Sequence, residues 1–412
     1  MAPKPEIAVI GGGIGGLVTA LHLHRNDIRC RVYEAAPEFK ALGVGITLLP
    51  HAIRELANLG LEEKIASVAV RMKESCFFNS FGQMLYRDVA NPNNPQFLIH
   101  RGDLHAILVD AVNERMGAET IALAHKCVSV AQDETKAIAK FVDSRTSEPL
   151  KEVSAEIVVG CDGVNSVVRK TLYPTGDNLA YTGINMWRGV TIHSPILSGG
   201  SHIRVGTLTS GKAVIYPIRD IQGTGKQLIN WVAEIRTTQQ LKNDWNRSGK
   251  LADFAHYFEK WNFDWLDFPK LLRNTEMILE YPMVDRDPLP RWSFGRITLL
   301  GDAAHPMYPR GSNGAAQAII DGRIITECLT GEPDPVSALR VYEERRRPST
   351  SKIVTTNRTT PPDILIEVVD QRSGHRPFNR VEDVISVEEM KTMLDSYKRV
   401  AGYDELSLPA RE

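Results

Sequence analysis

The chain has 412 residues, of which 42% are hydrophobic and 24% charged, and its formal net charge is −1 at pH 7. This length is sufficient for two domains with sizeable cores, and the composition is ordinary for a folded globular protein. A net charge near zero provides no field that would hold nucleic acid or an anionic membrane surface, so we expect neither as a partner.

The five cysteines are scattered along the chain, and none has C-x-x-C spacing. This argues against a disulfide framework and against a zinc site, and it fits a reducing compartment. The N-terminus leads directly into a predicted strand without a signal-peptide pattern, and no apolar run approaches the length of a membrane span. We therefore expect a cytoplasmic protein without a metal site. We further expect either a monomer or a homodimer.

The first predicted element is a dinucleotide-binding unit. A short apolar strand at residues 7–10 is followed by Gly11, Gly13 and Gly16 in the spacing G-x-G-x-x-G, and then by a predicted helix. The N-terminal amides of that helix would face phosphates. Glu34 ends the next predicted strand, where a carboxylate can accept hydrogen bonds from ribose hydroxyls. The unit predicts an adenine dinucleotide, either NAD or FAD; an ordinary glycine turn is the alternative.

Three later positions are candidates for contacts with the same ligand. The loop of Gly43, Val44 and Gly45 would let backbone lie against a flat group, or it is a plain turn. Arg101 opens a predicted helix and is placed for a phosphate or a ribityl chain, the alternative being an exposed arginine. Asp162 follows a predicted buried strand, where it can face a ligand, cap the next helix, or do both.

Residues 181–281 are rich in strand-like runs, with a predicted helical insert near residues 251–261. This change of character indicates a β-rich second domain inserted into the first. Most of its aromatic residues are expected in the core, while a few could line a pocket for a flat substrate. The tryptophans of this region are Trp187, Trp231, Trp245, Trp261 and Trp265.

A second ligand-facing loop is predicted after the strand at residues 297–300. Asp302 follows that strand, and the chain continues through His305 and Pro306 to a helix start at Gly314. An acid at a strand end followed by a glycine-containing helix start is typical of a cofactor-binding loop. His305 could act as a base, or it could only position this loop.

Three separated motifs now stand in a defined order: the glycine turn with its acid, residues 161–163, and residues 301–314. Together they resemble the single-component FAD-dependent aromatic hydroxylases, the para-hydroxybenzoate and salicylate hydroxylase family. The resemblance covers roughly residues 5–350. Residues 186–189 and 281–290 are most similar to the phenazine-1-carboxylate monooxygenase branch.

The resemblance implies an α/β fold with a Rossmann-like FAD-binding domain and an inserted β-rich substrate domain of the para-hydroxybenzoate hydroxylase type. A C-terminal helical segment, which finds no match in the family, is predicted from the sequence pattern. The expected ranges are 1–70, 100–180 and 282–360 for the first domain, 71–99 and 181–281 for the second, and 361–412 for the C-terminal segment. The C-terminal segment carries a capping box at residues 386–389 ahead of a predicted helix, and no chemistry is predicted there.

The resemblance also implies the reaction. FAD is the cofactor, NADH or NADPH reduces it, and O2 forms a C4a-hydroperoxyflavin that hydroxylates a small aromatic or heteroaromatic ring, with or without decarboxylation. A flavin oxidase or dehydrogenase on the same fold is one alternative. A regulatory dinucleotide-binding protein is another, which the second glycine loop and the tryptophan-rich insert disfavour.

Cofactor contacts follow by motif from the same resemblance. Glu34 would bind the ribose, Arg101 the phosphate or ribityl region, and Val128 the adenine through its backbone. Asp302 would hold the ribityl chain or the pyrophosphate. The remaining predicted cofactor contacts are Gly11, Gly13, Gly16, Val44, Gly45, Asp162, Gly314 and Ala315. Backbone amides of the Gly311–Ala315 stretch would stabilise negative charge on the reduced flavin.

The predicted catalytic pair is Pro306, placed at the reacting edge, and Tyr216, placed to orient the ring; a core position is the alternative for Tyr216. Two departures from the family pattern indicate a changed substrate pocket. Thr47 stands where some relatives that hydroxylate hydroxypyridine acids carry a histidine base. Ser312 and Asn313 stand in a loop that reads Gly-Gln-Gly in many relatives.

Overall fold

The computed structural model describes residues 6–40, 44–238, 240–241 and 247–404. Gly43 and Trp245, both named in the sequence analysis, lie outside these described residues. None of the helices in the described ranges is long and apolar enough to cross a membrane.

The strands, in chain order, are β1 (Ile7–Ile10), β2 (Cys30–Tyr33), β3 (Gly45–Leu48), β4 (Val70–Arg71), β5 (Glu74–Phe78), β6 (Met84–Val89), β7 (Phe97–His100), β8 (Ile121–Ala122), β9 (His125–Gln132), β10 (Ala137–Asp143), β11 (Val153–Ala155), β12 (Ile157–Gly160), β13 (Ala180–His193), β14 (Ser201–Thr207), β15 (Gly211–Ile221), β16 (Lys226–Arg236), β17 (Asn262–Phe263), β18 (Leu266–Asp267), β19 (Ile278–Asp285) and β20 (Ile297–Leu299). The α-helices are α1 (Ile14–Arg25), α2 (Pro50–Asn58), α3 (Glu62–Ala66), α4 (Arg101–Met116), α5 (Val167–Leu172), α6 (Phe268–Arg273), α7 (Gly314–Gly331), α8 (Pro335–Thr359), α9 (Ile364–Arg372) and α10 (Val387–Ala401).

A five-stranded parallel sheet forms the first domain, with the strand order β20-β12-β1-β2-β8. Strands β1 and β12 are buried along their whole length, as their continuous apolar sequences require. Helix α1 packs against β1 and β2, and the three-stranded sheet of β9, β10 and β11 contacts β12. Since parallel strands end at one edge, the residues that follow β1, β2, β12 and β20 meet there.

A seven-stranded sheet forms the second part, in the order β19-β13-β16-β15-β14-β5-β6. It combines two distant stretches of the chain, since β5 pairs in parallel with β14. Trp187, Trp231 and Trp261 are buried in its core cluster, as expected for most aromatic residues of this region. The helical insert expected near residues 251–261 consists of two short 3₁₀ helices rather than an α-helix.

The small antiparallel sheet of β3, β7 and β4 connects the two large sheets. Its three strands contact β15 of the second sheet. Strand β7 runs directly into α4, which packs on α1 of the first domain. This small sheet therefore lies where a ligand could contact both domains.

The C-terminal segment packs on the outer strands of the seven-stranded sheet. Phe77 and Leu85 form a buried cluster with residues of α9 and α10, among them Leu365 and Leu394. At the start of α10 the N-cap half of the predicted capping box is present, because the amide of Glu389 donates to Ser386 Oγ at 3.1 Å. The carboxylate of Glu389 instead accepts hydrogen bonds from Arg372.

A buried ion network holds the beginning of this segment on the sheet. Lys212 on β15 pairs with Glu234 at 3.0 Å and also with Asp363, the residue before α9. Burial alone would raise the pKa of Asp363, but Lys212, Arg310 and Arg204 together outweigh it and hold the pKa at about 2. The carboxylate therefore stays charged and keeps the segment attached.

Candidate active site

The glycine turn after β1 lies at the carboxyl edge of the parallel sheet. Gly11 has a φ of +108°, and a Cβ there would lie 2.5 Å from the carbonyl oxygen of Cys161. A Cβ on Gly16 would lie 2.0 Å from the carbonyl oxygen of Gly11, so α1 packs too closely on the turn for any side chain. Beside Gly13, in contrast, no described atom lies within 4 Å of the Cβ position. The turn is therefore closely packed at Gly11 and Gly16 and open at Gly13, where a ligand could approach its backbone.

Glu34 follows β2 beside this turn. Its two carboxylate oxygens accept hydrogen bonds from the amides of Gly12, at 2.6 Å, and Ala36, at 2.7 Å. The carbonyl oxygen of Glu34 accepts from the amide of His125 at 2.8 Å, which places β9 next to it. Val128 lies further along β9 with 46% of its surface exposed. Each carboxylate oxygen retains a lone pair with which it can accept a hydrogen bond from a ribose hydroxyl.

Asp162 makes the contacts of a helix cap. One carboxylate oxygen accepts from Ser166 Oγ at 2.5 Å, and the other accepts from the amides of Val167 and Val168 at 2.7 and 3.2 Å. Burial raises the pKa of Asp162, and these hydrogen bonds oppose the shift. Of the two roles that the sequence left open, the contacts in the structure correspond to helix capping.

Asp302 and Arg101 lie in the wall of a cleft. Both residues are exposed, which is the alternative that the sequence left open for Arg101, although many protein atoms lie close around them. Burial raises the pKa of Asp302, and nearby His305 and Arg101 oppose this shift. Burial likewise lowers the pKa of Arg101, with Asp302 opposing. The cleft therefore presents a carboxylate and a guanidinium, and each stabilises the charged form of the other.

Helix α7 begins beside Asp302. A Cβ on Gly314 would lie 3.7 Å from Asp302 Oδ1, and Gly314 and Ala315 are half-buried. The preceding residue, Asn313, provides no side-chain cap for the first turn. Uncapped amides at the start of an 18-residue helix form a site for a negatively charged group.

The loop before β3 is packed against the second domain. Val44 accepts a hydrogen bond from the amide of Arg101 at 3.0 Å, and the amide of Gly45 donates to Asn230 Oδ1 at 2.7 Å. A Cβ on Gly45 would lie 2.5 Å from Tyr216 Cε2. The flat group that requires glycine at position 45 is therefore a tyrosine ring of the protein.

These residues fit FAD. The open turn suits a pyrophosphate, and Glu34 suits a ribose while repelling a 2′-phosphate. Asp302 and Arg101 provide one hydrogen-bond acceptor and one cation in the cleft, next to the uncapped start of α7.

A pocket lies between β14, α10 and the loop at residues 310–313. Its cavity volume is about 50 Å³ and its mouth is open, so it would enclose only part of a small ligand. Its walls come from several distant chain segments. The lining residues that matter most for its chemistry are Thr47, His202, Arg204, Gly311, Tyr397 and Lys398.

Two buried polar atoms in the pocket wall have no hydrogen-bond partner among the described residues. They are Thr47 Oγ1 and His202 Nδ1. Burial, followed by the positive charge of Arg204, lowers the pKa of His202 well below its ordinary value, so the imidazole is neutral at pH 7. Since buried polar groups are normally paired, both atoms are candidates for hydrogen bonds to a bound ligand.

Arg204 is a half-buried cation in the same wall. Its Nη1 donates to Ser75 Oγ at 2.8 Å, and its guanidinium lies 5.2 Å from the centre of the Phe77 ring. Within the described part of the chain it forms no ion pair with a carboxylate. A cation in this position can pair with an anionic group of a ligand.

The two residues predicted to be catalytic, Tyr216 and Pro306, are both buried. Tyr216 is buried and stacks on His202, with ring centres 4.8 Å apart, and it is not among the described residues that line the pocket. Burial raises the pKa of Tyr216, so its hydroxyl stays protonated. Pro306 is buried, whereas Pro309 in the same loop is exposed.

The two segments that resemble the phenazine branch meet in space. Arg188 lies over the ring of Tyr281, with its guanidinium carbon 4.4 Å from the ring centre. The charge of Arg188 also contributes to the lowered pKa of Arg101, so these residues border the cofactor cleft.

No sequence motif indicated a role for His202, Arg204, Tyr397 or Lys398. His202 and Arg204 share one face of β14, and two polar residues alternating in an apolar strand were the available signal. Tyr397 follows Leu394 on the buried face of α10, so its pattern is that of an ordinary core residue.

Comparison with known proteins agrees with this geometry. A family model described as an FAD binding domain matches residues 4–357. Phenazine 1,6-dicarboxylic acid hydroxylase of Lysobacter antibioticus is 42% identical over 367 residues, covering 87% of this chain and 90% of that protein. The 6-hydroxynicotinate 3-monooxygenase of Bordetella bronchiseptica is 31% identical over 377 residues, covering 86% and 90%. HpxO of Klebsiella pneumoniae, crystallised with FAD and uric acid, has a TM-score of 0.78 at 20% identity, covering 98% of this chain and 97% of that one.

The chain belongs to the FAD binding domain family. Within this family it is an FAD-dependent aromatic hydroxylase, and FAD is its cofactor. The fold class, the cofactor and the enzyme class predicted from the sequence are thereby confirmed.

Proposed function

We propose that this enzyme uses NAD(P)H and O2 to hydroxylate an aromatic or heteroaromatic ring that carries a carboxylate. The observation that supports this best is Arg204, a half-buried cation in the pocket wall without a carboxylate partner in the described residues. The names of the relatives point the same way, because phenazine dicarboxylic acid and hydroxynicotinate are both carboxylated rings.

FAD, when bound, supplies the redox chemistry: it takes two electrons from NAD(P)H and activates O2. The protein's part begins with holding it. The glycine turn and Glu34 bind the adenosine diphosphate half, and Asp302 accepts hydrogen bonds from the ribityl chain. The amides of Gly314 and Ala315, at the positive end of α7, stabilise the negative charge that arises on reduction.

The pocket positions the ring. Arg204 pairs with the carboxylate, while Thr47 and the neutral His202 hydrogen-bond a polar ring substituent. No protein base is required at position 47, because an electron-rich ring can be attacked once it is held and polarised.

Oxygen consumption with NADH and with NADPH tests this proposal. The panel consists of benzene, pyridine and phenazine carboxylates with an amino or hydroxyl group, each beside its analogue without the carboxylate. We expect slow oxidation of the nicotinamide alone, faster oxidation with the correct acid, and a product heavier by one oxygen atom. Carbon dioxide release shows whether decarboxylation accompanies the reaction.

Hydrogen peroxide formation without any hydroxylated product, for every ring tested, would instead favour the flavin oxidase alternative. A protein that binds FAD but oxidises neither nicotinamide under any condition would favour a regulatory role. A preference for the decarboxylated analogues would leave the hydroxylase intact and reject Arg204 as the carboxylate partner.

We also infer a cytoplasmic location, since all five cysteines are free thiols and burial raises the pKa of each. Cell fractionation tests the location. Light scattering would decide between the monomer and the homodimer.

A further inference from the structure

The loop at residues 310–313 has a backbone shape that needs outside support. Gly311 and Ser312 both have positive φ angles, +76° and +59°. Glycine adopts this left-handed region freely, but serine does so at a cost. The loop immediately precedes α7, so its shape determines where the first amides of that helix lie. Contacts from elsewhere in the protein must maintain it.

Tyr397 of α10 provides such contacts. Its hydroxyl accepts a hydrogen bond from Asn313 Nδ2 at 3.0 Å and donates one to Asn357 Oδ1 at 2.7 Å. A Cβ on Gly311 would lie 1.8 Å from the same hydroxyl oxygen, so Tyr397 fills the space that any side chain at position 311 would need. Burial raises the pKa of Tyr397, which keeps the hydroxyl protonated and able to donate.

Asn313 links this tyrosine to the loop. It is fully buried, and its Nδ2 donates to the carbonyl oxygen of Gly311 at 3.1 Å as well as to Tyr397. The departure from Gly-Gln-Gly noted in the sequence therefore has a structural counterpart. The side chain of Asn313 reaches α10 and fastens the loop to it.

Helix α10 also forms part of the pocket. Tyr397 and Lys398 line the pocket together with Gly311 and Ser312. Lys398 pairs with Asp88 at 2.7 Å, which holds the helix on β6. A ring in the pocket would therefore contact both the loop and the helix that supports the loop.

We propose that Tyr397 is a positioning residue for hydroxylation. Its hydroxyl holds the loop at residues 310–313 through Asn313 and Gly311, and thereby fixes the start of α7. The inference rests on the proposed function, because this loop and the first turn of α7 are the elements assigned there to the reduced flavin. The C-terminal segment, for which the sequence predicted no chemistry, thus contributes to the reaction.

The substitution Tyr397→Phe tests the proposal, since it removes the hydroxyl and keeps the ring that packs on Gly311. We expect full FAD content and continued NAD(P)H oxidation. The hydroxylated product per nicotinamide consumed should fall about fivefold, the factor that corresponds to one neutral hydrogen bond. Hydrogen exchange of the amides at residues 310–315 should accelerate even in the protein stripped of FAD.

The matched control is Tyr173→Phe, which also removes a tyrosine hydroxyl, one that donates to the carbonyl oxygen of Arg291 at 2.8 Å. It should change neither the product yield nor the exchange of the loop. A second variant, Asn313→Ala, breaks the same link from the loop side. The double variant should lose no more product yield than either single one.

The proposal is overturned if Tyr397→Phe and Asn313→Ala both bind FAD and match the unmodified enzyme in product yield and loop exchange. Should Tyr397→Phe fail to fold, Asn313→Ala alone decides. If the unmodified enzyme hydroxylates no ring, the proposed function fails instead, and the exchange measurement still tests the link between Tyr397 and the loop.

Discussion

The cleft proposed for the cofactor and the pocket proposed for the aromatic ring both border the loop at residues 310–313, yet different kinds of chain segment form them. Glu34 and Asp302 of the cleft follow strands of the parallel sheet, and backbone amides fix the carboxylate of Glu34. The pocket draws on β3, β14 and α10, which are far apart in the chain. Its polar atoms on Thr47 and His202 have no partner among the described residues.

This contrast shows how the two regions divide the work of the enzyme. A cleft fixed by backbone geometry has the same shape whatever ring is bound, which suits a cofactor that stays in place. A pocket made of side chains changes its chemistry with each substitution. Substitutions in the cleft should therefore alter FAD binding, and substitutions in the pocket should alter ring binding.

The largest effect is expected behind the cleft, at Asp321. Its carboxylate accepts hydrogen bonds from His305 Nε2 and Arg346 Nε, both at 2.6 Å, and from the amide of Gly301 at 3.1 Å. The substitution Asp321→Asn leaves Arg346 buried without a charge partner, which should cost about 3–5 kcal/mol of stability. The shift of the urea midpoint, measured with and without FAD, checks this.

Glu327→Gln is the matched control, because Glu327 lies on the same helix and pairs with Arg345 at 2.8 Å while remaining exposed. It should cost less than about 1 kcal/mol. An equal loss in both variants would contradict the role assigned to burial.

The charge of Asp321 also predicts a pH dependence. Burial alone would raise its pKa, but His305 and Arg346 outweigh it and hold the pKa at about 2. Its contribution to stability is complete above about pH 4, the ordinary pKa of an unfolded aspartate, and is lost as the pH falls through about 2. Unfolding measured across this interval should show a slope that Asp321→Asn reduces.

Asp302→Ala should separate the cleft from the pocket. Loss of a charge-assisted hydrogen bond costs roughly 1.5–3 kcal/mol, so FAD affinity should fall tenfold or more. Once the variant is saturated with FAD, its affinity for the ring should be nearly unchanged. Unaltered FAD content after dialysis would reject the assignment of Asp302.

Arg204→Ala makes the opposite test. The half-exposed cation should contribute about 1–2 kcal/mol, so the Kd of a carboxylated ring should rise roughly tenfold, while FAD content stays constant. The affinity for the same ring without its carboxylate should change much less. Titration of the flavin absorbance gives both values, and equal losses for the two rings would contradict a carboxylate contact.

The smallest effect is expected for Tyr216→Phe. Tyr216 stacks behind His202, and no hydrogen bond of its hydroxyl to a described residue accompanies this packing. Turnover and product yield should therefore stay within about twofold, as for most substitutions that break no specific contact. A tenfold loss of product yield would support the role that the sequence suggested for this hydroxyl.

The sequence predicted the cleft better than the pocket, for a physical reason. Glu34 and Asp302 each follow a strand that could be recognised from local pattern, and parallel strands bring such ends together. The parallel pairing of β5 with β14 joins distant segments of the chain, and no local sequence pattern predicts such a pairing. Consequently the face of β14 that bears Arg204 could not be connected to α10 before the structure was known.

The C-terminal helix has an evolutionary consequence. The family model matches residues 4–357, and α10 lies outside this matched range. This helix supplies part of the pocket wall and supports the loop at residues 310–313 through Tyr397. Substitutions of the residues of α10 that face the pocket can therefore change the ring preference during evolution, while the cofactor cleft is inherited unchanged. During such changes, the residue that contacts Gly311 is the one that must be retained.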